Sequence, residues 1–220
     1  MTWKLLPAAA LAALSGCATQ PIHVAHVVAP PAPTRSIPSP IQPPRSGAQM
    51  RAAMAATANN PSLGGAAMLG NRTIADNCAS APNLRTMVRV LDAGGAKAML
   101  ASRGPFTVFA PTDQAFERLS SGAVDELLAP ANRPTLTKVA SYHIVPGAIT
   151  LDELRSRIHA GKGIAILITV VGSPLTVTQE GAAVAITDGN GHKSYVETAD
   201  VQQTNGIIHA VNGVLVPQLG

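Results

Sequence analysis

A chain of 220 residues with 46% apolar side chains has enough length to bury a core, and with only 3% aromatics that core has to be aliphatic. The net charge of +4 does not describe the folding part: residues 71–220 carry twelve Lys and Arg against twelve Asp and Glu, and the surplus is Lys4, Arg35, Arg45 and Arg51. A neutral domain offers no phosphate-binding footprint, so nucleic acid is not expected as a partner.

Met1–Cys17 reads as a secretory leader, with Lys4 as its positive end and Leu5–Leu14 as a short apolar stretch. That stretch is too short to span a bilayer. Leu14-Ser15-Gly16-Cys17 resembles the bacterial lipobox, in which an apolar residue and two small residues precede the cysteine. The resemblance implies a diacylglycerol thioether on Cys17, cleavage before it, and attachment to a membrane of the cell envelope through several acyl chains. Ala18 stands where an inner-membrane retention signal would have Asp, which points to the outer membrane.

Ala18–Gly47 contains eight prolines and hardly any periodicity. Such a segment is an extended spacer, at ~3.1 Å per residue reaching about 90 Å at most. His23 and His26 fall in it without a nearby Cys or carboxylate, and no metal site is expected. Ala48–Asn60 is alanine-rich and could form a short helix before Pro61. The chain thus divides into a leader (1–17), a tether (18–62) and one domain (63–220).

Within the domain, Thr73 begins a helix with an acid three residues on. Leu84, Met87, Val88 and Leu91 repeat at helical spacing until Gly94-Gly95, and a second short helix holds Ala98–Leu100. Phe106–Ala110 is a β-rich run and Pro111-Thr112-Asp113 turns the chain, with Thr112 as N-cap and Asp113 in the first turn of a helix. All three phenylalanines lie within residues 106–116, so the densest core is expected there. Helical spacing continues through Leu127-Leu128 and Pro134–Tyr142. Thr150-Leu151-Asp152-Glu153 is a capping box with Ile149 and Leu154 at staple positions. Strands follow over Ile164–Val171, Leu175–Thr178, Val184–Thr187, Tyr195–Thr198 and Ile207–Val216, with a turn at Asp188–Gly191. Helices first and strands later indicate an α+β domain. Cys78, among small residues in a helical pattern, reads as a buried free thiol.

Three stretches resemble the fasciclin domain family: Phe106–Phe116 (FTVFAPTDQAF), Tyr142–Gly147 (YHIVPG) and Thr204–Pro217 (TNGIIHAVNGVLVP). The resemblance runs over about residues 63–219 and implies a fasciclin-like β-sandwich or wedge of about seven strands with helices packed on it. Where the family usually has an acid, this chain has Asn212, followed by Gly213; by residue type alone the pair reads as a hairpin turn of type I′, whereas the family fold implies a bend between the last two strands, so a turn is expected there without a fixed type.

The family resemblance also implies adhesion or contact rather than catalysis, with a protein or a surface as the unidentified partner. In animal members the tyrosine–histidine segment and an Asp-Ile pair have been proposed as integrin contacts. Asp200-Val201 resembles the latter and is the candidate interaction surface. Thr112, Asp113, Tyr142, His143, Asn205, Gly206 and His209 are read as motif residues with structural roles, the histidines as hydrogen-bonded core groups. No G-x-S-x-G, H-E-x-x-H, P-loop or C-x-x-C occurs, and no cofactor, metal or catalytic residue is assigned. The alternative is a small-molecule carrier or enzyme with a pocket in the domain, which would need convergent polar groups of shifted pKa.

Overall fold

The computed structural model describes residues 60–218. Cys17, the proline-rich spacer with His23 and His26, and nearly all of the alanine-rich segment lie outside the described residues.

Along the chain, helices α1 (Ile74–Ser80), α2 (Arg85–Ala93) and α3 (Ala96–Ala101) lead into strand β1 (Phe106–Pro111). Then come α4 (Asp113–Glu117), α5 (Ala123–Leu128), a 3-10 turn (Pro130–Asn132), α6 (Arg133–Tyr142), β2 (Ile144–Pro146) and α7 (Leu151–Ala160). Five strands finish the fold: β3 (Ile164–Ile168), β4 (Pro174–Glu180), β5 (Ala183–Thr187), β6 (Lys193–Gln203) and β7 (Gly206–Val211). The helix starts follow local chemistry. Thr73 accepts from the Asp76 N–H and Thr150 from the Glu153 N–H, each at 3.2 Å. Only half of the expected capping box forms at α7, because the Glu153 carboxylate turns instead to Arg157, 2.9 Å away.

The seven strands make one sheet in the order β2-β1-β7-β6-β5-β4-β3. The β1–β7 pair is parallel, with Phe109 opposite His209, and all other pairs are antiparallel. The sheet curls until its ends nearly meet, where the Val170 N–H donates to the Ile144 carbonyl at 2.8 Å. This is the α+β wedge with seven strands that the sequence predicts.

Curling creates two cores. On the outer side of the β1–β7 pair, Val108, Ala110, Ile208 and Ala210 pack against α1, α2, α3 and α6 through Ile74, Met87, Leu91, Leu100, Leu136 and Ala140. Inside the curl, Phe109 and Val211 meet Leu167, Leu175, Val177 and Ile186, and α7 closes the space with Leu154 and Ile158. Strands β1 and β7 are therefore buried on both faces, each with one polar residue in its interior, Thr107 and His209. Strand β3 is apolar throughout, but only its inner face is covered, so its burial alternates strictly.

Three strand ends differ from expectation. β3 stops at Ile168 because Thr169 turns the chain, its N–H and hydroxyl both donating to the Ser173 carbonyl. β6 extends to eleven residues because two irregularities, between Val196 and Val201, bend it from β5 onto β7. β7 ends at Val211, and Asn212-Gly213 is a bend rather than a hairpin turn. Neither residue has the positive φ a type I′ turn requires. Gly213 is needed there because a Cβ would strike the Ser194 side chain.

Candidate functional site

The motif residues gather around two buried histidines. His143, at the C-terminus of α6, has no exposed surface. Its Nδ1 lies 2.8 Å from the Val139 carbonyl and its Nε2 receives the Leu215 N–H at 3.1 Å. A carbonyl can only accept and an N–H can only donate, so Nδ1 carries the proton and the ring is neutral. His209, on β7, has the opposite tautomer. Its Nε2 donates to the Ile149 carbonyl at 2.8 Å, and its Nδ1 accepts from the Asp200 N–H at 3.2 Å. Burial pushes His143 down to about 4, with the Val139 carbonyl and the Asp188 carboxylate opposing. Burial also lowers the pKa of His209, opposed by the Ile149 carbonyl and Asp200. The His209 ring stacks on Phe109 with centroids 5.6 Å apart.

Asp200 sits in the β6 irregularity with φ of 57°, a left-handed conformation that Asp tolerates better than most residues. This turns its carboxylate toward α7, where it accepts the Leu151 N–H at 2.8 Å. Asp200 thus satisfies one of the free N–H groups at the helix start that Thr150 leaves open. Its neighbour Val201, offered with it as an interaction surface, is fully buried in the helical core. Of that pair only Asp200 reaches the surface, because a bulge turns one residue outward while the ladder resumes with the next facing in.

The remaining motif residues join elements in the same way. The Asp113 carboxylate accepts the Thr86 N–H at 2.8 Å, so it caps α2, whose N-cap Leu84 has no side-chain acceptor. Thr112 occupies the N-cap position of α4, but its side chain makes no capping bond. Tyr142 donates its hydroxyl to the Pro174 carbonyl at 2.7 Å. Asn205 accepts the Ile74 N–H at 2.9 Å and donates to the carbonyls of Leu100 and Ser102, tying α1 and α3 to the β6–β7 turn. Gly206 follows with φ of 149°, and a Cβ there would collide with the Phe106 carbonyl.

Sequence reading missed four polar residues of this framework. Thr107, inside the apolar run of β1, donates to the Gly147 carbonyl at 2.6 Å and accepts the Ile149 N–H at 2.8 Å. A polar residue in a continuous buried run must find partners, which is the signal that would have marked it. Asp188 binds the N–H groups of Asn190 and His192 within its own turn, but also that of Val216 at 3.0 Å. Asn77 is buried between the Leu69 carbonyl and Gln203. Asn60 clamps β6, accepting the Gln202 N–H at 2.7 Å and donating to the Gln202 carbonyl at 2.8 Å.

Every polar ring or side-chain atom named at the two histidines is engaged by backbone. Two open depressions of about 510 and 250 Å³ lie among α2, α5 and α6, lined in part by Arg89, Asp92 and Leu128 and by Glu126, Asn132 and Thr135. Neither reaches His143, His209 or Asp200. Cys78 is buried, and burial pushes its thiol up to about 12, so it is present as an unreactive thiol at neutral pH.

The wedge, the two histidines and the ordered motifs around them define a fasciclin domain. The Fasciclin domain family model matches residues 82–217, and the chain belongs to that family. Protein sll1483 of Synechocystis sp. is 35% identical over 147 residues, covering 67% of this chain and 74% of that protein. Transforming growth factor-beta-induced protein ig-h3 of Sus scrofa is 31% identical over 132 residues, 60% of this chain but only 17% of the relative. Among solved structures, the fold resembles a FAS1 domain pair from the insect cell adhesion molecule Fasciclin I. There the TM-score is 0.59 at 21% identity, over 69% of this chain and 52% of that one.

Proposed function

We propose that the chain is a non-catalytic interaction module of the fasciclin family, held at the bacterial cell envelope by a lipid on Cys17 and set off from the membrane by its proline-rich segment. The observation that carries the non-catalytic part is the engagement of His143 and His209. Each ring has both nitrogens committed to backbone groups. A general base needs one free nitrogen within reach of a substrate proton. The likeness to an insect cell adhesion molecule supports contact as the activity. The anchoring part rests on Leu14-Ser15-Gly16-Cys17, and placement at the outer membrane on Ala18.

The two parts are tested separately. Mass spectrometry of the mature protein should find acyl mass on an N-terminal Cys17, and Cys17→Ser should abolish detergent partitioning. An unmodified mature N-terminus would end the anchoring reading. For the contact reading, the soluble chain from Ala18 is used as bait against envelope extract and against intact cells. Retention on neither, at concentrations where the anchored protein clusters cells, would refute it.

A further inference from the structure

Strand β7 ends at Val211, and Asn212 is still fastened to β6. Its N–H donates to the Tyr195 carbonyl at 3.1 Å and its side chain accepts the Tyr195 N–H at 2.8 Å. From Gly213 on the attachment changes. Among the described residues, no peptide group of residues 213–218 bonds to another peptide group. Three side chains tie the segment down instead. The Leu215 N–H donates to His143 Nε2 at 3.1 Å, the Val216 N–H donates to the Asp188 carboxylate at 3.0 Å, and the Val216 carbonyl accepts from the Asn190 amide at 3.0 Å. Two successive peptide N–H groups thus rest on titratable acceptors, one from α6 and one from the β5–β6 turn.

The segment lies across the seam of the two cores. Val214 is buried with the helical core and Leu215 with the inner core. Segments outside ladders and helices open locally with less free energy than the ladders themselves. What holds this one closed is therefore apolar burial and those three side chains.

Only a neutral His143 can hold Leu215. The Val139 carbonyl fixes a proton on Nδ1, so a second proton can go only to Nε2. Nε2 would then be a donor facing the Leu215 N–H, and a buried amide without an acceptor carries the full cost of its lost hydration. The charged surroundings of the ring are few. The Asp188 carboxylate favours the protonated ring, and it is itself engaged by His192, 3.3 Å away. Strands β1 and β2 and residues 212–218 contain no charged residue, and on α6 itself Arg133 and Lys138 are exposed. The neighbouring Tyr142 hydroxyl donates to the Pro174 carbonyl.

We propose that residues 213–218 form an acid-released strap: protonation of His143 frees the segment from Gly213 onward while the seven-stranded sheet stays folded. Release uncovers Val214 and Leu215, so the domain presents in acid an apolar surface that it lacks at neutral pH. Asn212 is the fixed end of the strap and Gly213 its first free residue. The size of the response follows from proton linkage. With the strap closed, burial holds His143 at about 4. With the strap open, the ring meets water and titrates near the ordinary ~6.5. Between those values, each pH unit downward should favour the open form about ten-fold.

The test is amide hydrogen exchange on the chain from Ala18, read residue by residue and corrected for intrinsic rates. Whole-molecule unfolding also exposes His143, so the ladder amides of β1 and β7 serve as the reference. Between pH ~6.5 and ~4.5 the protection of Leu215 and Val216 should fall on the order of a hundred-fold. At every pH in that range they should exchange at least about ten-fold faster than the ladder amides. His143→Gln keeps a donor and an acceptor but does not titrate. In that variant the fall in Leu215 protection should shrink to less than about three-fold. Leu215 protection that does not change with pH overturns the proposal, and so does its loss only together with the ladder amides. Both outcomes are read on the parent, whether or not the variant folds. A folded His143→Gln protein with the parent's pH response overturns it as well.

Discussion

His143 illustrates how much one side chain can carry when it is buried neutral. In the unfolded chain it titrates near the ordinary ~6.5, whereas in the fold burial holds it at about 4. Between those values the unfolded chain binds the proton and the folded one does not. The His143 contribution is therefore whole above pH ~6.5 and is lost as the pH falls toward 4. At ~1.4 kcal/mol per pH unit, unfolding at pH 5 should cost roughly 2 kcal/mol less than at pH 7.5, with His209 adding in the same direction. Denaturant titrations at the two pH values measure the difference. An imidazole resonance of His143 titrating near 6.5 in the native protein would show that the ring is not held as described.

Asp200 is the second residue whose role is set by its surroundings. Its carboxylate holds the Leu151 N–H, and its backbone is left-handed. Asp200→Asn keeps an acceptor and a residue that tolerates that conformation, so stability should change by less than ~0.5 kcal/mol. Asp200→Ala loses the cap and adds the left-handed cost, together about 2 kcal/mol. Asp200→Gly should fall between them. If Ala and Asn variants melt together, the bond to Leu151 contributes nothing.

At the scale of elements, close approach decides as much as hydrophobicity. Gly94 ends α2, and its place against α6 leaves no room for a side chain: a Cβ would lie 2.7 Å from the Ala140 Cβ and 2.8 Å from the Val90 carbonyl. Gly94→Ala should therefore cost about 1–3 kcal/mol through overpacking, although alanine is the better helix former. Because one of the two clashes is with a side chain, adding Ala140→Gly should recover part of that loss. A Gly94→Ala protein as stable as the parent would mean that α2 and α6 stand further apart. The two cores also explain why burial is nearly continuous along β1 and β7 but alternates along β3: two cores press on the first pair, and one on the other.

The molecule as a whole is fastened at its start by Asn60, well before the first helix. Its amide bonds the Gln202 backbone in both directions and also reaches the Met68 carbonyl at 3.1 Å. A chain beginning at Asn60 should thus keep this clamp. A chain beginning at Leu63 leaves the Gln202 groups to water and should lose about 1–2 kcal/mol. Matched midpoints for residues 60–220 and 63–220 would show that the clamp is idle. The 158 residues from Leu63 on contain every core residue found among the described residues, so each chain is expected to fold.

Local chemistry made much of this legible without coordinates. Thr73 and Thr150 start their helices because each hydroxyl accepts the N–H three residues on, a bond made within one turn. The β-branched apolar run from Ile164 marked a strand, and three ordered motifs marked the family. What could not be read were the distant partners: that the Leu215 N–H meets His143 and the Ile149 carbonyl meets His209, that Asp113 caps α2, that Asp200 caps α7, and that Val201 turns inward. Those bonds join residues 27 to 72 positions apart or arise at a bulge, and side-chain type sets no distance across such separations.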